Sequence, residues 1–177
     1  MGEIRKHPPV KLFAAITYHQ HFDKTKILEI LNDQIDTIDQ RTEPFQFDTF
    51  TDYYQSMMGD KLLKFFVSFA HLIPAETLPQ IKVQTNTIEK SNESDKLRLI
   101  NIDPGYLTEN KVVLATTKNY SHRLYLSDGI FGDLHLFFKD QTFQFQKWTY
   151  PDYKQSSVIA FFNNLRKLYR EQLIPVS

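Results

Sequence analysis

The apolar positions near the start of the chain form two distinct patterns. Residues 9–18 are mostly apolar without strong alternation, which predicts a strand buried on both faces and therefore central in its sheet. Apolar residues then recur at helical spacing from Ile27 to Ile38, behind Asp23, which is a favourable N-cap. These positions predict a helix that runs to about Asp39.

Both patterns return in the next part of the chain. A half-buried strand is predicted at 45–50, and a predicted short helix at 51–59 is capped by Thr51 or Asp52 and ended by Gly59. A buried strand follows at 61–71. The next helix is opened by Pro74 and Pro79, and its apolar face carries Leu78, Ile81, Thr85 and Ile88. A polar loop at 91–96 leads to a strand at 97–103. Pro104 and Gly105 are predicted to stop this strand, because proline cannot donate to a ladder and glycine favours a turn.

The rest of the chain predicts antiparallel strands and a closing helix. Asp128-Gly129 lies between two strand-like runs and is a strong hairpin signal. The predicted elements here are strands at 111–118, 122–126, 130–138 and 142–145, a turn at 139–141, and an amphipathic helix at 156–172 that begins at Ser156 or Ser157.

The order of these elements predicts an α+β fold. The first hundred residues give two β-α-β halves in succession, which favours a ferredoxin-like or related α/β sandwich, extended by the C-terminal antiparallel β-meander and the final helix. A loosely doubly wound sheet is the alternative. We expect a single compact domain over residues 1–177, made of the β-α-β-β-α-β-like part at 1–103, the meander at 111–147 and the helix at 156–172.

Composition narrows the classes of protein and of site. The chain has no cysteine, which excludes disulfides, thiolate metal sites and cysteine nucleophiles. No apolar run is long enough to cross a membrane and no signal peptide is evident, so we expect a cytoplasmic protein without membrane contact. The five glycines form neither a Walker A loop nor a GxGxxG fingerprint. His19 and His21 are the only close histidine pair, and we predict no metal site.

Side chains suited to acid, base and anion chemistry are expected to form a site near Asp103. Lys118, His122 and Arg123 place three potential cations within six residues. Arg123 is expected to hold an oxyanion through its planar fork, and Lys118 to add a point charge. His122 is expected to transfer a proton near neutral pH, while Asp103 orients His122, acts as a base or holds a metal. Tyr54 and Glu89 are secondary ligand-binding candidates.

These residues lead to a functional hypothesis with two alternatives. We expect a domain that binds or acts on a small phosphorylated or otherwise anionic ligand, and the sequence does not decide whether it is an enzyme, which cofactor it uses or how it oligomerises. Each residue also has an ordinary explanation, such as a turn for Asp103 and solvation for His122 and Arg123. The alternatives are an RNA-binding module, disfavoured by zero net charge, and a protein that pairs through Arg166, Lys167 and Arg170.

Several short motifs together resemble one family. The motifs are Tyr53-Tyr54 with Met58-Gly59, Thr85-Asn86 with Glu89, residues 101–106 (NIDPGY), Lys118 with His122-Arg123, and residues 149–153 (TYPDY). The chain resembles the uncharacterised prokaryotic family catalogued as domain of unknown function 4416, and NIDPGY is the most specific of these motifs. The resemblance covers almost the whole chain and implies no established activity, cofactor or substrate.

Overall fold

The computed structural model describes residues 2–94 and 97–174. Its strands are β1 Val10–His19, β2 Ile38–Arg41, β3 Phe45–Gln46, β4 Leu62–Ile73, β5 Glu93–Ser94, β6 Leu97–Arg98, β7 Ile100–Leu107, β8 Lys111–Thr116, β9 Arg123–Ser127, β10 Ile130–Lys139 and β11 Thr142–Phe145. Its helices are α1 Lys24–Gln34, α2 Gln55–Met58, α3 Leu78–Ser91 and α4 Ser156–Leu173, with single 3₁₀ turns at Ala75–Thr77 and Pro151–Lys154.

The main sheet is antiparallel and is organised around β1. Strand β1 pairs with β4 on one side and with β7 on the other, and the strand order is β11-β10-β8-β7-β1-β4-β2. The elements β1-α1-β2-β4-α3-β7 therefore adopt the order of a ferredoxin-like split β-α-β arrangement, and β8, β10 and β11 extend the sheet beyond β7. This confirms the predicted α+β class.

Helices cover both faces of the sheet. Side chains alternate along β1, so that Leu12 and Ile16 join the core under α1 and α3, whereas Phe13 and Ala15 join the core under α4. The prediction of a central strand buried on both faces is thus confirmed. The predicted amphipathic helix at 156–172 is confirmed too, because α4 spans Ser156–Leu173 and its buried face includes Phe162.

Strands β8 to β11 are antiparallel to their neighbours, but their order is not that of a simple meander. The predicted hairpin joins β9 to β10 through Asp128 and Gly129, which both have positive φ angles, of 53° and 75°. Strand β10 pairs with β8 along one edge and with β9 and β11 along the other. Strands β8 and β9 are therefore separated by β10, and residues 117–122 cross the end of that strand.

Three local predictions in the first half were wrong. The first helix ends at Gln34 rather than near Asp39, and Ile38 begins β2, a strand that was not predicted. The predicted strand at 45–50 is reduced to Phe45–Gln46. The short helix covers only Gln55–Met58, although Gly59 ends it as expected, with a φ of 79°.

The predicted strand end at Pro104 and Gly105 was also wrong, because β7 continues through both residues to Leu107. Gly105 lies opposite Phe13 of β1, and a Cβ atom at Gly105 would be 2.5 Å from the Phe13 ring and 2.5 Å from the carbonyl oxygen of Val113. Glycine is needed at this position for close packing and not for a turn.

Candidate functional site

A gap between β7 and β8 forms the most extensive cavity near the predicted site. The two strands pair only from Gly105 to Leu107 with Val112 to Leu114. Beyond this short ladder they part, and a cavity of about 280 Å³, the polar compartment, lies between Asp103 on β7 and Lys118 after β8. A second cavity of about 210 Å³, the aromatic compartment, shares five lining residues with it, namely Tyr53, Tyr54, Asp103, Lys118 and Tyr150.

Two charged side chains of α3 replace the missing partner strand at the gap. The amide of Ile102 donates to Glu89 Oε1 at 2.7 Å, and the ammonium of Lys82 donates to the carbonyl of Ile102 at 2.9 Å. Amide groups two residues apart point to the same side of a strand, so the missing amide of Pro104 faces the same side. Proline is therefore tolerated inside β7, because β8 does not pair with it there.

Asp103 is an ionised acceptor at the junction of the two compartments. Its Oδ1 accepts from Lys82 Nζ at 3.0 Å and its Oδ2 accepts from Asn101 Nδ2 at 2.8 Å. Burial alone would raise the pKa of Asp103, but Lys82 and Lys64 outweigh this effect and hold the pKa below its ordinary value. The carboxylate retains acceptor capacity on both oxygens, since each can accept more than one hydrogen bond.

Glu89 lies beside Asp103 but in a different electrostatic state. Burial raises the pKa of Glu89, and the charge of Asp103 adds to the effect against the opposing pull of Lys82. Oε2 of Glu89 is 3.3 Å from Arg98, which also donates to Asn101 Oδ1 at 2.9 Å. Two neighbouring carboxyl groups thus have pKa values displaced in opposite directions, an arrangement found at acid–base sites and in structural ion-pair networks.

Lys118 supplies a cation to both compartments. Its ammonium lies 4.0 Å from the centre of the Tyr53 ring, and no carboxylate of residues 2–94 or 97–174 lies within ion-pair distance of it. Three other cations of the two compartments, Lys64, Lys82 and Arg98, are paired with acids. Lys90 lines the polar compartment but not the aromatic one. Among the described residues, Lys118 is therefore the cation without an acidic partner that lines both compartments.

Arg123 lies behind the cavity and orients Tyr150. Its guanidinium donates to Asp133 Oδ2 at 2.9 Å, to the carbonyl of Lys118 at 3.1 Å and to the hydroxyl of Tyr150 at 2.8 Å. Because arginine can only donate, the Tyr150 hydroxyl accepts this bond and keeps its own hydrogen for another acceptor. Burial raises the pKa of Tyr150 to about 12, so the phenol is protonated at neutral pH.

A buried histidine completes the support of Tyr150. The amide of Tyr150 donates to Nε2 of His135 at 3.1 Å, so Nδ1 carries the proton and faces Asp133 Oδ1 at 3.3 Å. Burial lowers the pKa of His135, although Asp133 acts in the opposite direction. Burial alone would raise the pKa of Asp133, but hydrogen bonds from His135 and Arg123 outweigh it. The result is a neutral imidazole held between Asp133 and the backbone of Tyr150.

The predicted site residues separate into two groups. Asp103, Lys118, Tyr54 and Glu89 line the polar compartment, although they come from four separate segments of the chain. Burial, together with Asp103, raises the pKa of Tyr54 well above its ordinary value, so this phenol is also protonated. His122 and Arg123 line neither compartment.

His122 occupies a separate place behind Asp133. Its ring stacks on Trp148 with 5.0 Å between the centroids, and its Nε2 is 3.4 Å from Asp133 Oδ2. The expected pairing of His122 with Asp103 is not among the hydrogen bonds of either side chain; Asp103 is oriented by Lys82 and Asn101 instead.

The lining residues that were not predicted as site residues include four that take part in the contacts described above: Lys82, Arg98, Asn101 and Tyr150. Lys82 had a usable signal, because it falls on the same helical face as Leu78 and Thr85, where a solvated lysine is not expected. Asn101 precedes Asp103 by two residues, so both side chains lie on the same side of β7. Nothing in the local sequence indicates that Tyr150 accepts a bond from Arg123.

The residues suggested for other partners are arranged less favourably. Helix α4 covers the sheet face opposite α1 and α3, and Tyr153, one of the aromatic residues on which an RNA-binding module could stack bases, is buried in that core. Arg166 donates to the Glu109 carbonyl, and Arg170 pairs with the Glu109 carboxylate at 2.9 Å. Two of the three basic residues of α4 thus have contacts within the chain.

Metal-binding clusters and membrane-spanning helices are both absent from the described residues. Residues 2–94 and 97–174 contain no group of three histidine, aspartate or glutamate side chains close enough to hold a metal ion. The rings of His19 and His21 lie 5.2 Å apart. None of the helices within the same residues is both long and apolar enough to cross a bilayer.

Comparison with known proteins gives one match. A family described as a domain of unknown function, DUF4416, matches residues 8–169 of the 177, which includes all the motifs on which the resemblance was based and confirms it. No curated protein and no solved structure matches the chain.

Proposed function

Because the chain belongs to the DUF4416 family, which is described only as a domain of unknown function, we propose a function from the chemistry of the cavity. The protein binds a small phosphorylated or otherwise anionic ligand between Lys118, Tyr150 and Asp103. Lys118 and Tyr150 donate to the anionic group, and Asp103 accepts from a hydroxyl or amino group of the ligand.

One observation carries this proposal: a lysine and a phenol, both able to donate, converge on the same cavity. Lys118 has no carboxylate partner among the described residues, and the Tyr150 hydroxyl accepts from Arg123 and keeps its O–H to donate. The cation and the O–H group would each gain a charge-assisted hydrogen bond from an anion. Asp103 also makes the site selective, since it repels an anionic group placed beside it and favours a donor.

The assignment changes two of the expected roles. Arg123 acts through Tyr150 and Lys118, because its donors are directed to Asp133, Tyr150 and a carbonyl group. His122 has no part in the proposed contacts. Whether the bound compound reacts is a separate question, for which the carboxyl pair of Glu89 and Asp103 provides the acid and base candidates.

The proposal is tested by thermal melting with Lys118→Ala. Wild-type protein is screened against inorganic phosphate, sugar phosphates, nucleotides and carboxylates. A ligand at about a hundred times its dissociation constant adds about 2.7 kcal/mol, which raises the melting temperature of a chain of this length by roughly 5 to 10 °C. We expect Lys118→Ala to lose this shift and to melt at the wild-type temperature without ligand.

Lys139→Ala is the matched control, since Lys139 is exposed at the end of β10 and lines neither compartment. It should keep the full shift. If no anion stabilises the wild-type protein, or if Lys118→Ala responds like the wild type, the proposed function is wrong.

A further inference from the structure

We propose that the anionic ligand carries a planar ring, which enters the aromatic compartment while Lys118 and Tyr150 hold its anionic group. This inference rests on the proposed function and adds the chemical class of the ligand. It follows from the positions of the polar and the aromatic compartments, which meet at the residues that line both of them.

Aromatic residues are the largest single group in the lining of the smaller compartment. Five of its eleven lining residues are aromatic: Phe47, Tyr53, Tyr54, Tyr120 and Tyr150. A dry cavity of 150 Å³ in another protein holds benzene, so a volume of about 210 Å³ accommodates one ring system but no macromolecule. Rings that line such a space offer faces on which a planar compound stacks.

These tyrosines differ from the aromatic residues of the two cores. Phe13, Phe66 and Phe162 are buried and pack edge-on against one another. By contrast, Tyr53 and Tyr120 are 51% and 53% exposed, and both line the compartment. Their apolar surface is covered by neither core and remains accessible to a ligand.

The cations beside three of the rings disfavour a cationic occupant. The ammonium of Lys118 lies 4.0 Å from the Tyr53 ring centre, and the guanidinium of Arg123 lies 4.5 Å from that of Tyr120. Lys64 lies 4.7 Å from the ring of Phe47 and pairs with Asp152 at 2.7 Å. One face of each of these three rings, which could otherwise bind a ligand ammonium group, is thus occupied by a cation of the protein. A neutral ring joined to an anionic group is the complementary ligand.

The ring and the anion must belong to one molecule because the compartments meet. Tyr53, Tyr54, Asp103, Lys118 and Tyr150 line both cavities, and Lys118 and Tyr150 are also the two proposed anion donors. A ring in the aromatic compartment therefore places its substituent beside these donors. Phosphate and carboxylate both satisfy this chemistry.

The test compares matched probes that differ only in the ring. The pairs are phenyl phosphate against methyl phosphate, benzoate against acetate, and nucleoside monophosphates against ribose 5-phosphate, with dissociation constants measured by calorimetry. Stacking on one aromatic side chain is worth roughly 5- to 100-fold in affinity. We expect the ring-bearing member of at least one pair to bind more tightly by such a factor.

Tyr120→Leu locates the effect, because Tyr120 lines the aromatic compartment and not the polar one. The expected result is that the affinity ratio within the pair falls towards one, while Tyr120→Phe preserves it. Tyr125→Leu is the matched control, since Tyr125 is 63% exposed on β9 and lines neither cavity. Tyr53→Leu provides a second, independent variant with the same expectation.

The outcomes separate this inference from the function on which it rests. If the ring-less anions bind as tightly as their ring-bearing partners, the ligand class is wrong and anion binding stands. If a ring effect persists in both Tyr120→Leu and Tyr53→Leu, the ring does not occupy this compartment and the inference fails. If no probe binds the wild-type protein, both proposals fail together.

Discussion

His135 connects the proposed site to the acid stability of the protein. Its side chain is completely buried, and the Tyr150 amide donates to Nε2, which requires a neutral imidazole. Burial lowers the pKa of His135 in the folded state, whereas the unfolded chain has the ordinary value of about 6.5. Below that pH the unfolded state binds the proton more readily than the folded state does.

We therefore expect His135 to reduce stability as the pH falls below about 6.5. The loss amounts to about 1.4 kcal/mol per pH unit at most, and it ends at the lowered pKa of the folded state. Urea unfolding at pH 7.5, 6.5 and 5.5 measures it for the wild type and for His135→Gln. The variant should be less stable at pH 7.5 and should lack this part of the pH dependence, so parallel curves would contradict the assignment.

At the scale of single elements, β7 has a steric requirement at Gly105. A Cβ atom there would meet the Phe13 ring and the Val113 carbonyl oxygen, both at 2.5 Å, and the second contact is with backbone that cannot rotate away. Overpacking of this kind typically costs about 1 to 3 kcal/mol. Gly105→Ala should therefore lower the free energy of unfolding by at least about 1 kcal/mol.

Gly132→Ala is the control for this substitution, because Gly132 lies in β10 and its added Cβ would be no closer than 3.4 Å to its neighbours. Chemical denaturation of both variants gives the comparison. Equal losses of stability in the two variants would show that the close approach at Gly105 is not the cause.

A comparison of β1 with β7 shows the limits of prediction from sequence. The pattern of β1 led correctly to a central strand, because continuous burial requires an apolar residue at every position. In β7, however, the sequence Asp-Pro-Gly has strong turn propensity. Pairing with β1 overrides this propensity, and Glu89 and Lys82 satisfy the adjacent backbone of Ile102 from positions 13 and 20 residues away in sequence.

The predicted end of the first helix was wrong for a different reason. Ile35 and Ile38 continue its apolar period, so no local signal separates the end of α1 from the start of β2. The boundary is set by long-range contacts, since Asp36 accepts from the backbone amide of His71 on β4. The amide of Ile38 in turn donates to the side chain of Asn32.

For the site, the chemical type of a residue was a useful guide to its role, but the direction of its side chain could not be predicted from the sequence. Asp103, Glu89, Tyr54 and Lys118 were selected for their chemistry, and the fold brings them to one cavity. Arg123 was selected by the same criterion, but its direction depends on Asp133, its partner across the predicted β9–β10 hairpin, where an irregularity in the pairing sets the register.

At the scale of the whole molecule, two cores on opposite faces of one sheet share the stability. Phe162 of α4 is completely buried, and its ring contacts Phe13, Phe66 and Tyr153. Removing such a ring typically costs about 3 to 5 kcal/mol. Phe162→Ala should lose stability in this range, as measured by equilibrium unfolding.

Asn164→Ala provides the comparison on the opposite, exposed side of α4 and should change stability by less than about 0.5 kcal/mol. Because α4 covers the sheet face behind the cavity, Phe162→Ala also tests how much the entire fold depends on this helix. A loss of under about 1 kcal/mol would mean that the core under α4 is dispensable.

The central position of β1 has a consequence for biosynthesis. Its two partners begin at Leu62 and Ile100, so the ribosome makes β1 well before either of them. At about 5 to 20 residues per second, the second partner emerges on the order of ten seconds later. Until β4 has been made, the most completely buried strand of the finished molecule is an unpaired apolar segment, and its other edge stays unpaired until β7 emerges. This strand is the part of the nascent chain that a chaperone has most reason to shield.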